Sequence, residues 1–254
     1  MFGKFKKAPA PPSPLKDDRR QWVETSFHLL VDTFGKEAML QRRVLRPHHS
    51  DFPIRYNGEP QAAQHTLEIV ARQMEIDPAE IDLSFYQDTT RIISAGTPFG
   101  GSLSAGVEEG EKSSDEIYFG KSEDGKYHLS FDKEKQQRPE GLVAILAHEL
   151  ARIKLLDTTA GNDRHLADLT TVIFGLGIFN ANAAFFTFSN GRSLSWSQSG
   201  YLTQMEWGYS LALFAGLRNE KTPAWIEYLG KNVKADFGKS EQYIAWQNQT
   251  QNPD

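Results

Sequence analysis

Residues Gly141–Ile153, GLVAILAHELARI, read as an apolar helix whose only polar side chains are His148, Glu149 and Arg152. In such a setting each of the three needs a partner, because an unsatisfied buried polar group costs about 1–3 kcal/mol and an unpaired buried charge more. A segment of this kind holds a site or the remains of one.

The spelling falls one residue short of His-Glu-x-x-His, in which two histidines at i and i+4 share a helix face and grip one zinc ion. The Glu then acts as general base on a metal-bound water. Here His148 and Glu149 are in place and Arg152 stands at the second histidine. A guanidinium is protonated and has no lone pair for a metal. A loop, DTTAGND (157–163), leads to a second helical run, RHLADLTTVIFGLGIFNANAAFF (164–186), with Asn162 or Asp163 placed to cap its first turn. In an antiparallel hairpin of these two segments, His148 lies level with Asp168 and Arg152 level with Arg164. Arg164 and Asp168 are themselves four apart and share a face. The expected result is a polar cluster of His148, Glu149, Arg152, Arg164 and Asp168, with two carboxylates offsetting two guanidiniums.

The runs AHELARIKLL (147–156), LADLTTVIFGLGIFNANAAF (166–185), GYLTQMEWGYSLALFAGLR (200–218) and PAWIEYL (223–229) resemble a family of largely uncharacterised bacterial zincin-like proteins of the gluzincin, metallopeptidase-like type. In the N-terminal half, MFGKFKKAPAPPSP (1–14), PIRYNGEPQAA (53–63) and MEIDPAEIDLSFY (74–86) are similar to the same family, so the likeness covers most of the chain. The resemblance implies a zincin-like α+β fold, with a small antiparallel sheet packed on the motif helix and a mainly helical C-terminal half. It also implies His-Glu-x-x-His followed, on the next helix, by a ligand Glu four residues before an Asp. Carried over residue by residue, His148, Glu149 and Asp168 match; Arg152 replaces the second His and Arg164 replaces the ligand Glu.

Three readings of the cluster follow. In one, the zinc site is lost, Glu149 is a vestigial general base, no cofactor is held, and the former groove binds a peptide or protein partner. In another, the chain remains a zinc hydrolase with His148, Asp168 and a surrogate ligand, His165 or Glu206; His165 is turned by about 100° from Arg164 around its helix. In the third, the cluster is a buried ion network that sets helix register in an unrelated helical protein, a kind of network that adds little net stability but is costly to break. No G-x-S-x-G turn offers a nucleophilic serine.

Composition narrows the classes. The 254 residues contain no cysteine, which excludes disulfides and thiolate chemistry and fits a reducing, cytoplasmic setting. A net charge of −5 speaks against a nucleic-acid or anionic-membrane partner. Leu169–Phe188 is long enough for a bilayer, yet its Asn180, Asn182 and three threonines point to a buried core helix in which Gly175 and Gly177 permit close contact or a bend.

Along the chain, residues 1–16 read as a flexible tail and 17–254 as a single domain, its first part (17–138) holding helices and the sheet and its second (139–254) the helical half with the motif hairpin. Asp17 to about Leu45 shows helical spacing of apolar residues with a possible interruption at Gly35. Glu59–Glu75 forms a second amphipathic helix, and the connector between them carries His48 and His49, whose side chains would point apart. Strands are expected at about 81–87, 115–120 and 126–132, antiparallel, with the small-residue run 94–115 as a loop. Further helices are expected over Gly200–Leu217, Pro223 to about Val233 and Ser240–Gln247. The aromatic set Trp196, Tyr201, Trp207, Tyr209, Phe214 and Trp225 is expected to build the core of this half.

Overall fold

The computed structural model describes residues 10–86, 91–96, 102–107, 121–132, 138–184, 186–189, 194–197 and 200–251. The chain is mixed helix and strand and mainly helical. Helix α1 (Asp17–Phe34) buries Val23, Phe27, Leu30 and Val31, one stripe at helical spacing. Gly35, with φ of 83°, separates it from the short α2 (Lys36–Gln41), so the run read as reaching Leu45 stops earlier, and Leu45 instead donates its backbone N–H to Gly175. Of the expected tail, residues 1–9 lie outside the described residues, while Leu15 is buried in the core. Helix α3 (Pro60–Gln73) begins with proline at its first turn, where no N–H is needed, and closes with Glu75 in the left-handed region at φ of 57°.

The sheet corrects the expectation. Strand β1 (Ile81–Tyr86) pairs with β4 (Tyr127–Asp132), and the pairing is parallel, with Ile81 opposite Tyr127 and Phe85 opposite Phe131. An apolar–polar alternation specifies which side chains share a face and is indifferent to strand direction. The long excursion between Tyr86 and Tyr127 supplies the crossover that a parallel pair requires. Within that excursion β2 (Arg91–Gly96) and β3 (Ser102–Val107) pair antiparallel, in part of the run read as a loop; the strand expected at 115–120 lies outside the described residues. Ile81, Leu129 and Phe131 turn inward and join the helical core.

The centre of that core is α4 (Pro139–Leu155), which buries Leu142, Val143, Leu146, Ala147, Leu150, Ala151 and, unusually, Glu149 and Arg152. It packs against α3, α5 (Arg164–Ile173) and α6 (Gly177–Ala183). The second motif segment is thus two short helices broken at Gly175, whose φ of 75° ends α5. Among the described residues no helix is long and apolar enough to cross a membrane. A strand pair, β5 (Phe186–Ser189) with β6 (Leu194–Ser197), leads to α7 (Gln204–Leu217), which opens on a reciprocal cap between Thr203 and Glu206. A 3₁₀ turn, Ala224–Tyr228, and one long helix α8 (Lys231–Gln251) take the place of the two helices expected there. Helices α7 and α8 meet at Gly208, where an added Cβ would stand 2.8 Å from the backbone of Asp236. Trp207, Tyr209, Phe214 and Trp225 are buried in this half as expected, but Tyr201 is 37% exposed; the side chain of Trp196 lies outside the described residues.

The connector between α2 and α3 is held by Asp51, whose carboxylate accepts from Arg43 Nη2 at 2.7 Å, Arg46 Nε at 2.7 Å and the Arg46 backbone N–H at 3.0 Å. The bonds from Arg46 outweigh burial and lower its pKa to about 2. Because the folded value is depressed, this contribution is fully present above the unfolded value of about 3.9 and is lost as pH falls through the folded one. The stability difference between wild type and Asp51→Asn should therefore narrow by about 2 kcal/mol between about pH 6 and about pH 2, read by urea unfolding at each pH. His48 and His49 are exposed beside this loop, and His48 Nδ1 bonds to Ser50.

Candidate functional site

The motif hairpin brings His148 to Asp168. The ring Nδ1–H donates to Asp168 Oδ1 at 2.7 Å, the carboxylate being able only to accept. Asp168 has no solvent exposure, and its other oxygen accepts two backbone N–H groups, from Tyr201 at 2.6 Å and Leu202 at 3.0 Å. Those two amides arrive on the turn before α7. Gly200 there has φ of 102°, and a Cβ on it would stand 3.1 Å from Asp168 Oδ2, so the turn needs a residue without one. The same turn lays the Tyr201 ring parallel to His148, with centroids 5.7 Å apart and planes at 23°. His148 is thereby held on its Nδ1 side, stacked on one face, and left with Nε2 on the far edge of the ring.

Arg152 forms a second pair. Its Nη1 donates to Glu149 Oε2 at 2.9 Å and its Nε to Asn162 Oδ1 at 3.0 Å, with only 3% of the side chain exposed. Burial pushes this guanidinium below its ordinary pKa; Glu149 opposes that, and the nearby positive charge of Arg164 adds to it. Asp163, the other capping candidate, accepts from the N–H groups of His165 and Leu166 and starts α5, which frees Asn162 for Arg152.

Arg164 does not close the cluster as expected. It is exposed, donates to the hydroxyl of Tyr201 at 2.5 Å, and has its guanidinium carbon 5.5 Å from that ring's centre. Among the described residues no carboxylate pairs with it. The expected five-membered cluster is thus two separate pairs, His148–Asp168 and Glu149–Arg152, with Arg164 bearing a positive charge on the Tyr201 side.

The proposed surrogate ligands are engaged elsewhere. His165 sits edge-on to Trp22 at 5.8 Å and tilted against Tyr201 at 5.5 Å. Glu206 is buried and accepts from Arg19 Nε at 2.6 Å and from the Thr203 N–H at 2.7 Å. Burial would raise its pKa, but the bonds from Arg19 and Thr203 prevail and hold it below the ordinary value. Among the described residues no three His, Asp or Glu side chains are grouped to hold a metal ion. Both oxygens of Asp168 already accept hydrogen bonds, Glu149 is committed to a buried guanidinium, and the two remaining positions are cations. These residues do not fit a catalytic zinc, which takes three protein ligands and one open position.

Tyr201, Gly200, Asn162, Trp22 and Arg19 complete the site; the sequence marked Asn162 only as a cap and Tyr201 only as a core aromatic, with no site role for the other three. A glycine just ahead of the Thr203–Glu206 cap marks a tight turn, but nothing in that pattern says that the turn lies on Asp168. Compared with protein-family models, with curated proteins and with solved structures, the chain matches none.

Proposed function

We propose that this chain is a zincin-like protein whose metal site has been converted into a set of arginine contacts, leaving a non-catalytic scaffold that binds a peptide or protein partner. The observation that carries this reading is the Arg152–Glu149 bond at 2.9 Å. The residue expected to act as general base accepts instead from a guanidinium at the second-histidine position. The His148–Asp168 bond is consistent with the same origin: metal-binding histidines commonly donate their other ring N–H to a carboxylate that orients them. With the ligand positions 152 and 164 both cationic, hydrolysis through an activated metal-bound water has no support from these residues.

The experiment restores the ligands. Purified wild-type protein should contain well under one zinc per chain by elemental analysis and should melt at the same temperature with and without chelator. Arg152→His combined with Arg164→Glu should bind about one zinc per chain and gain thermal stability on adding it. A folded double variant that takes up no zinc would count against descent from such a site. Stoichiometric zinc in the wild type would sink the non-catalytic reading.

A further inference from the structure

Arg164 has an exposed guanidinium, no carboxylate partner among the described residues, and a hydrogen bond that fixes it to Tyr201. Tyr201 is in turn fixed from behind: its backbone N–H is tied to the fully buried Asp168, and its ring lies on His148. The guanidinium is therefore presented by a braced aromatic side chain, and His165 and Trp22 continue the same surface at ring separations of 5.5 and 5.8 Å. Three carboxylates of the hairpin are already used, Asp168 by three donors, Glu149 by Arg152, and Asp163 by the backbone N–H groups of His165 and Leu166. A planar guanidinium carries five N–H donors, and the hydroxyl of Tyr201 uses one of them.

We propose that Arg164, braced by Tyr201 beside His148, is the anchor of a carboxylate-binding site, so that the ligand of the former groove is an acidic one held by charge-assisted hydrogen bonds. The inference rests on the non-catalytic reading above and names the chemistry of its ligand. Guanidinium and carboxylate match as parallel pairs of donors and acceptors, a geometry that an ammonium does not reproduce. The rings of Tyr201, Trp22 and His165 form an aromatic surface beside the guanidinium, with Arg19 lying over Trp22 at 4.5 Å. The carboxylate can come from a peptide C-terminus or from an acidic side chain, and the probes below separate the two.

The test uses the full chain and three peptides: N-acetyl-tetraalanine with a free C-terminus, the same peptide as its C-terminal amide, and an amidated analogue with one glutamate. Binding is followed by the arginine Nε–H resonances in NMR titrations up to about 10 mM, a range that reaches Kd values above 1 mM. The expected result is that one of the two carboxylate peptides binds at least about tenfold more tightly than the neutral amide, a difference of ~1.4 kcal/mol, with the Arg164 resonance moving. Arg164→Gln, at an exposed position, should abolish that preference with an unchanged circular dichroism spectrum, and Arg164→Lys should restore only part of it. Equal binding of all three peptides, no binding of either carboxylate, or an undiminished preference in Arg164→Gln would overturn the proposal. Zinc content measured on the same sample reports separately on the non-catalytic reading, so the two can fail independently.

Discussion

Asp168→Ala lowers the free energy of unfolding by about 3–5 kcal/mol, the range for removing one member of a buried hydrogen-bonded charge network. The argument counts what is left behind. Asp168 is fully buried and accepts three bonds, from the His148 ring and from the amides of Tyr201 and Leu202. Alanine leaves all three donors without this partner, and the turn before α7 loses its tie to α5. Asp168→Asn is the control that separates size from charge. The amide has a similar shape but only one acceptor oxygen; with that oxygen on the Tyr201 and Leu202 N–H groups, its NH₂ faces His148, which must move its ring proton to Nε2 in order to accept. It should therefore remain destabilising, by roughly half as much, rather than behave as a neutral swap. Urea unfolding followed by fluorescence of the five tryptophans reads both variants. A loss below about 1 kcal/mol for the alanine variant would mean that the His148–Asp168 pair does not brace the hairpin.

Gly175→Ala is expected to cost about as much, about 3–5 kcal/mol, through backbone strain together with a steric clash. Gly175 has φ of 75°, a conformation that costs an L residue roughly 1–2 kcal/mol by itself. The larger part comes from what an added Cβ would meet: the carbonyl oxygen of Arg43 at 2.2 Å, well inside contact distance, and Gln73 Nε2 at 3.2 Å. Relief requires moving the segment after α2 away. That movement strains the bond from Leu45 N–H to Gly175 O at 2.9 Å and those from Gln73 Nε2 to the carbonyls of Arg43 and Phe174. Gly161→Ala is the matched comparison, since its φ is also positive, at 55°, but no atom lies within 4 Å of the added Cβ. It should cost only about 1 kcal/mol. If thermal melts show the two substitutions to be equal, the close approach at Gly175 is not what holds this corner together.

Both predictions concern the joint between the motif helices and the rest of the chain, and that joint was only half legible beforehand. Helical spacing in α1 and α3 reports burial directly, because one face of each must be apolar to pack, whereas α4 and α7 are apolar and buried nearly all round. The level pairing of His148 with Asp168 follows from hairpin geometry and is present at 2.7 Å. The same geometry put Arg152 level with Arg164, but each turns to a nearer partner, Asn162 and Tyr201 respectively. Asn162 appeared only as a capping alternative, and Tyr201 only as one more core aromatic. A side chain's choice among several acceptors depends on distances of an ångström or two, which spacing along a helix does not resolve.

What the order of residues determined by itself is local: the apolar faces of the helices, a cap at Asn162 or Asp163, the breaks at Gly35 and Gly175, and the presence of arginines at 152 and 164. Tertiary structure decided that β1 and β4 run parallel, that Gly175 divides the second motif segment against the backbone of Arg43, and that the turn at Gly200 lies over Asp168. Periodicity records which side of an element avoids water. It carries no record of which distant segment covers that side, and the partners of Asp168 and Arg164 are set by that covering.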